Sequence, residues 1–149
     1  MTKVNQVMTE NPTCCLASDS IGAVVQQMQM HDVGAVPVVS DITSRKLIGI
    51  VTDRDIALRV VGAGRDSKGT WVADVMTPNP VACHDTDSID TAIEAMSLHK
   101  VRRIPVVNDD RKLVGIVSQA DVATRLGNTE KTAEVVEEIS KPNAVVLPR

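Results

Sequence analysis

The chain has 149 residues, of which 43% are hydrophobic and 23% charged, with a formal net charge of -3. That balance belongs to a folded globular protein and excludes a disordered tail, and no apolar run approaches the roughly 20 residues that a bilayer span needs. Phe and Tyr are absent and Trp71 stands alone, so the core must be packed from Val, Ile, Leu, Met and Ala. Without aromatic platforms or a broad basic field, nucleic acid is a poor partner for it.

The N-terminal Met1-Thr-Lys-Val-Asn-Gln-Val lacks the apolar stretch of a signal peptide, which points to a cytoplasmic protein. A short strand is expected near 13–16. Ile21, Val24, Val25 and Met28 then fall at i, i+3, i+4 and i+7 and predict an amphipathic helix, with Ser18 or Asp19 as its N-cap. Apolar runs at 35–39 and 47–51, joined by a polar stretch from Ser40 to Arg45, predict two buried strands linked by a turn. A helix follows near Asp53. Glycine-rich, polar residues then mark a linker over 62–71, ending at Trp71.

The pattern now starts again. A strand is expected near 81–83, and a helix carries Ile89, Ala92, Ile93 and Met96 behind Thr86 or Asp87 as N-cap. Strands at 103–107 and 113–117 follow, then a helix from about Gln119. Past it, Thr129 to Ser140 has Val135, Val136 and Ile139 on one side, which predicts a short helix packed back on the body and stopped by Pro142.

The repetition is explicit in the residues. Val7-Met8-Thr9-Glu10-Asn11-Pro12 returns as Val75-Met76-Thr77-Pro78-Asn79-Pro80, 68 positions later. In the same register Asp19-Ser20-Ile21 matches Asp87-Ser88-Ile89, His31 matches His99, and Val36-Pro37-Val38-Val39 matches Ile104-Pro105-Val106-Val107. After a shorter turn, Lys46 to Thr52 matches Lys112 to Ser118, and Asp55 matches Asp121. One copy would leave a sheet face uncovered and be marginal alone, so the two should pack together about an approximate twofold axis.

Both copies end a buried strand in Gly-hydrophobic-Val-Thr/Ser and place an Asp three residues later, as Thr52-Asp53-Arg54-Asp55 and Ser118-Gln119-Ala120-Asp121. A hydroxyl at a helix start lies beside unpaired N–H groups and the positive end of the helix dipole, which attract phosphate. A carboxylate one turn further in can accept hydrogen bonds from a ribose diol. The same spacing is also that of a capping box, which needs no ligand. Its occurrence twice, each time behind His-x-Val-x-x-hydrophobic-Pro-Val-Val, sets it apart from an isolated cap.

With these motifs the chain resembles the CBS domain family, named after cystathionine β-synthase, and in particular a tandem pair of such domains, a Bateman module. The resemblance rests on Met-Thr-x-x-Pro, Pro-Val-Val, Gly-Ile-Val-Thr/Ser-x-x-Asp and the repeat itself, over about residues 4–60 and 72–126. It implies an α+β fold of two β-α-β-β-α repeats about a pseudo-twofold axis. The first domain would span 4–61 and the second 72–127, with 128–149 as C-terminal helix and tail. It further implies a stand-alone regulatory module, with no enzymatic activity and no required cofactor or metal. Such a module binds an adenine nucleotide such as AMP, ADP or ATP, or S-adenosylmethionine, between its repeats. Homodimers and a regulated partner protein, which the residues do not identify, complete the expectation.

In the family each cleft draws its hydroxyl and Asp from one repeat and its base-contacting segment from the other. Carried over, cleft one joins Thr52, Arg54 and Asp55 to Thr77, Val81, Val101, Arg102, Arg103 and Pro105. Cleft two joins Ser118 and Asp121 to Thr9, Thr13, Val33, Gly34, Ala35 and Pro37. Arg102 and Arg103 offer donor forks that suit phosphate, and cleft two has Gly34 and Ala35 in their place, so cleft one is expected to be the phosphate site.

Other chemistry finds less support. His31 and His99 are expected at helix C-termini, where an imidazole favours the negative end of the dipole. Cys14, Cys15 and Cys83 are odd in number and have no CxxC spacing, which suits inert reduced thiols better than a metal or redox cluster. The alternative function is a ligand-free scaffold in which the Thr/Ser-x-x-Asp pairs only cap helices.

Overall fold

The computed structural model describes residues 1–126, so the helix expected over Thr129 to Ser140 and the tail at 128–149 lie outside the described residues. A 3-10 turn at Val4–Gln6 leads into β1 (Thr9–Glu10) and β2 (Cys15–Leu16). Then come α1 (Ile21–His31), β3 (Ala35–Val39), β4 (Leu47–Thr52) and α2 (Asp53–Ile56), which passes into a π-helical turn at Ala57–Val61. The second copy repeats this with a 3-10 turn at Val72–Asp74, β5 (Thr77–Pro78), β6 (Cys83–His84), α3 (Ile89–His99), β7 (Arg103–Val107), β8 (Leu113–Ser118) and α4 (Gln119–Leu126). The β-α-β-β-α units expected from the repeat are therefore present twice.

The elements form where their residues predict. Strands β3 and β7 carry near-continuous apolar runs because both faces are covered, and all five β3 residues are buried. Strands β4 and β8 alternate buried and half-buried residues, the mark of a sheet with one packed face. Helices α1 and α3 bury the stripe that faces the sheet, including Ile21, Val24 and Met28 in the first and Ile89, Ala92, Ile93 and Met96 in the second.

The helix starts differ from expectation. Ser20 Oγ accepts from the Ala23 N–H at 3.2 Å, and Ser88 Oγ accepts from the Asp90 N–H at 3.1 Å, so these serines cap α1 and α3. Asp19 and Asp87 close the preceding turns instead, their Oδ2 atoms each accepting at 2.9 Å from the N–H groups of Leu16 and His84. A carboxylate so engaged is unavailable to the helix, and the cap passes to the next hydroxyl.

Tertiary structure also exchanges strands. One sheet has the order β2-β3-β4-β5 and the other β1-β8-β7-β6, so each takes its fourth strand from the opposite repeat. Thr9 pairs with Ile116 and Glu10 with Gly115, while Gly49 pairs with Pro78 and Ile50 with Thr77, all antiparallel. The flanking apolar residues follow their strands. Val4, Val7 and Met8 are buried in the core of the second repeat, and Val72 and Val75 in that of the first. Between the sheets Val39, Leu47, Val107 and Leu113 form a third buried cluster, reinforced by backbone hydrogen bonds from Leu47 N–H to Arg111 O at 3.2 Å and from Leu113 N–H to Arg45 O at 2.9 Å.

Candidate functional site

Thr52 and Asp55 form a reciprocal pair at the start of α2. The Thr52 N–H donates to Asp55 Oδ2 at 3.0 Å and the Asp55 N–H donates to Thr52 Oγ1 at 3.1 Å. Ser118 and Asp121 repeat it at α4, with both distances 3.0 Å. The capping box is thus present in both copies. Each box uses one carboxylate oxygen, and the Oδ1 atoms of Asp55 and Asp121 take no part. Both acids are half-buried, a position that can bind a ligand hydroxyl without leaving the cap.

The exchanged strands bring the repeats together at these helix starts. Thr9 lies opposite Ile116, two residues before Ser118, and Thr77 lies opposite Ile50, two residues before Thr52. Each hydroxyl-acid pair therefore has a threonine from the other repeat on the neighbouring strand.

The segments ahead of the prolines are bonded first to their own repeat. Ala35 pairs with Thr52 and Gly34 O accepts from the Asp53 N–H at 2.9 Å. Likewise Arg103 pairs with Ser118, and Arg102 O accepts from the Gln119 N–H at 3.0 Å. Among the described residues no hydrogen bond joins Arg102 or Arg103 to Thr52 or Asp55, or Gly34 or Ala35 to Ser118 or Asp121. Pro37 and Pro105 are buried in mid-strand, opposite Ile50 and Ile116. Val81 and Val101 pack against one core and Val33 against the other, whereas Thr13 is half-buried just ahead of β2. Arg54, Arg102 and Arg103 are exposed, leaving their guanidinium groups open to an anion.

A separate depression of about 490 Å³ is lined by Ala17, Ser18, Trp71, Ala73 and Asp74. None of the candidate nucleotide residues borders it. Sequence reasoning assigns Trp71 only to the end of the linker; a lone aromatic beside small residues is the signal that could have marked it.

His31 and His99 are the last residues of α1 and α3, as expected. His84 Nδ1 lies 3.3 Å from Asp109 Oδ1. Among the described residues no group of three or more His, Cys, Asp or Glu could hold a metal ion, and no helix is long and apolar enough to cross a membrane.

Cys15 and Cys83 are buried and Cys14 is half-buried. Burial, with Asp19 and Cys14 adding to it, pushes the Cys15 thiol up to about 12 from its ordinary 9.0. Burial, with Asp87 adding, does the same to Cys83. Both should therefore resist alkylation at pH 8 in the folded protein, while Cys14 reacts first. A thiol that holds its proton more tightly when folded stabilises the fold below pH 9, and this contribution is lost as pH rises from 9 towards 12. Iodoacetamide labelling read by peptide mass, with melting curves across that range, checks both points; rapid native labelling of Cys15 or Cys83 would contradict the burial.

Similarity to known proteins agrees with the fold and the motifs. The CBS domain model matches residues 4–62 and again 72–128, and the chain belongs to the CBS domain family. CBS domain-containing protein YhcV of Bacillus subtilis (strain 168) is 36% identical over 143 residues, covering 96% of this chain and 99% of that protein. The CBS domain pair of protein MJ0100, solved with 5-methylthioadenosine and S-adenosyl-L-methionine, matches with a TM-score of 0.75 and 28% identity over 85% of this chain and 97% of the other. CBSX2 in complex with AMP matches with a TM-score of 0.68 and 25% identity over 95% and 100% of the two chains.

Proposed function

We propose that this protein is a non-catalytic regulatory module that binds an adenine nucleotide, AMP, ADP or ATP, between its two CBS repeats and senses energy or metabolite status. The observation that carries the reading is the duplicated hydroxyl-acid pair: two half-buried aspartates, each with an Oδ1 that its capping box does not use, each beside a threonine delivered by the other repeat. That oxygen can accept from a ribose diol. Thr52 and the exposed Arg102 and Arg103 supply donors for the anionic tail in cleft one. Adenine would lie between aliphatic side chains such as Val81 and Val101, since neither cleft offers a ring to stack on it. Relatives solved with 5-methylthioadenosine, S-adenosylmethionine and AMP support the adenosine class.

Occupancy would act by favouring one arrangement of the two repeats, and the signal would leave through a homodimer or a partner surface in the cytoplasm. A second reading, a ligand-free scaffold, is favoured by one observation: both capping boxes are complete without any ligand.

A thermal-shift panel of AMP, ADP, ATP and S-adenosylmethionine separates the two. A ligand at 100 times its Kd contributes about 2.7 kcal/mol to the folded state, enough to raise Tm by roughly 5–10 °C in a chain of this size. The absence of any shift at millimolar concentration with all four would leave the scaffold.

A further inference from the structure

The depression beside Trp71 is built of different side chains from the matching place in the other repeat, although the backbone there is duplicated. Trp71 and Ser20 face each other in an antiparallel bridge, as do Lys3 and Ser88. The Val72 N–H donates to Asp19 O at 2.9 Å and the Ala73 N–H to Ala17 O at 3.0 Å; in the other copy the Val4 N–H donates to Asp87 O at 2.8 Å and the Asn5 N–H to Asp85 O at 3.0 Å. The same backbone thus carries Trp71, Ala73, Asp74, Ala17 and Ser18 in one place and Lys3, Asn5, Gln6, Asp85 and Thr86 in the other. Since a lysine serves the bridge equally well, the fold does not call for an aromatic side chain there, and Trp71 is 50% exposed. An indole left half in water beside two alanines is an anchor for an apolar segment.

We propose that the aliphatic run Ala144-Val145-Val146-Leu147 of the same chain covers Trp71 in this depression. The run stands between Pro142 and Pro148, with Lys141 and Arg149 outside them, and the prolines separate it from the helix expected over Thr129 to Ser140. Its two cations suit Asp74 on the rim, whose carboxylate has no ion pair among the described residues. Reach is sufficient. Val145 is 19 positions past Leu126, a stretch that extends to about 60 Å, or to about 40 Å with a helix over 129–140, against a body about 35 Å across. The tether holds the run at an effective concentration on the order of millimolar, so a modest apolar contact is enough to seat it. A second copy or another protein would have to make the same contact without that advantage. The inference is independent of the nucleotide-binding reading.

With no Tyr or Phe in the chain, its intrinsic fluorescence comes from Trp71 alone. Acrylamide quenching of the full-length unmodified protein is compared with that of the double variant Val145→Asp, Leu147→Asp and, at the rim, of Asp74→Lys, with melting curves confirming that each is folded. The expected result is a shielded Trp71 in the unmodified protein and quenching at least about twofold stronger in the double variant, with emission moving to longer wavelength, since charges on the run empty a site that was mostly filled. A smaller increase in the same direction is expected for Asp74→Lys. Equal quenching in all three would overturn the proposal and leave the depression to another protein. Shielding in the unmodified protein that fades on dilution would overturn it in favour of a second copy.

Discussion

Asp55→Asn should weaken AMP binding at cleft one by at least about tenfold while leaving the fold nearly as stable as before. The side-chain oxygen of asparagine can still accept from the Thr52 N–H, so the capping box survives. Its NH₂ cannot accept from a ribose diol, so the ligand loses a charge-assisted hydrogen bond. Asp55→Ala removes both functions. It should cost about 1 kcal/mol of stability through the lost cap, in addition to the lost affinity. Titration calorimetry gives the affinity, and urea melts without ligand give the stability. AMP binding of undiminished strength in Asp55→Asn would mean that Asp55 only caps its helix. The same pair of substitutions at Asp121 should act on adenine-nucleotide binding in cleft two.

Gly115→Val is expected to destabilise the protein by about 2 kcal/mol, because it forces a side chain into a contact between the repeats. A Cβ at Gly115 would collide with Met8 and lie 3.0 Å from Thr9 O; at the matching Gly49 it would meet Met76 Sδ at 2.7 Å and Thr77 O at 3.1 Å. The methionine tips can move, but the backbone oxygens belong to the exchanged strands β1 and β5 and can yield only if the pairing loosens. Gly49→Val should therefore show a loss of similar size. Urea denaturation checks both, with the midpoint moving down. Stability within about 0.5 kcal/mol of the unmodified protein would show that these strands are not seated as described.

Much of the candidate site is legible in the residues themselves. Thr52, Asp55, Ser118 and Asp121 stand out because the same residue types recur in the same place of a repeat, and the helix-start geometry of that spacing is a local property of the chain. The link between Gly34 and the start of α2 is harder to see, because the Gly34 carbonyl accepts from the Asp53 N–H and that bond joins residues 19 positions apart in the chain.

Periodicity and repetition alone determined the four main strands, the two amphipathic helices and the presence of two similar units, since each depends on side-chain spacing within a short stretch. Only the tertiary structure decided that β1 and β5 cross to the opposite sheet, that Ser20 and Ser88 rather than the residues before them cap their helices, and that Thr9 and Thr77 meet the partner repeat's strand. Two-residue strands are too short to show an alternation. Their pairing is chosen by where Val4, Val7 and Met8, or Val72 and Val75, can be buried, and that burial depends on the surface the other repeat presents.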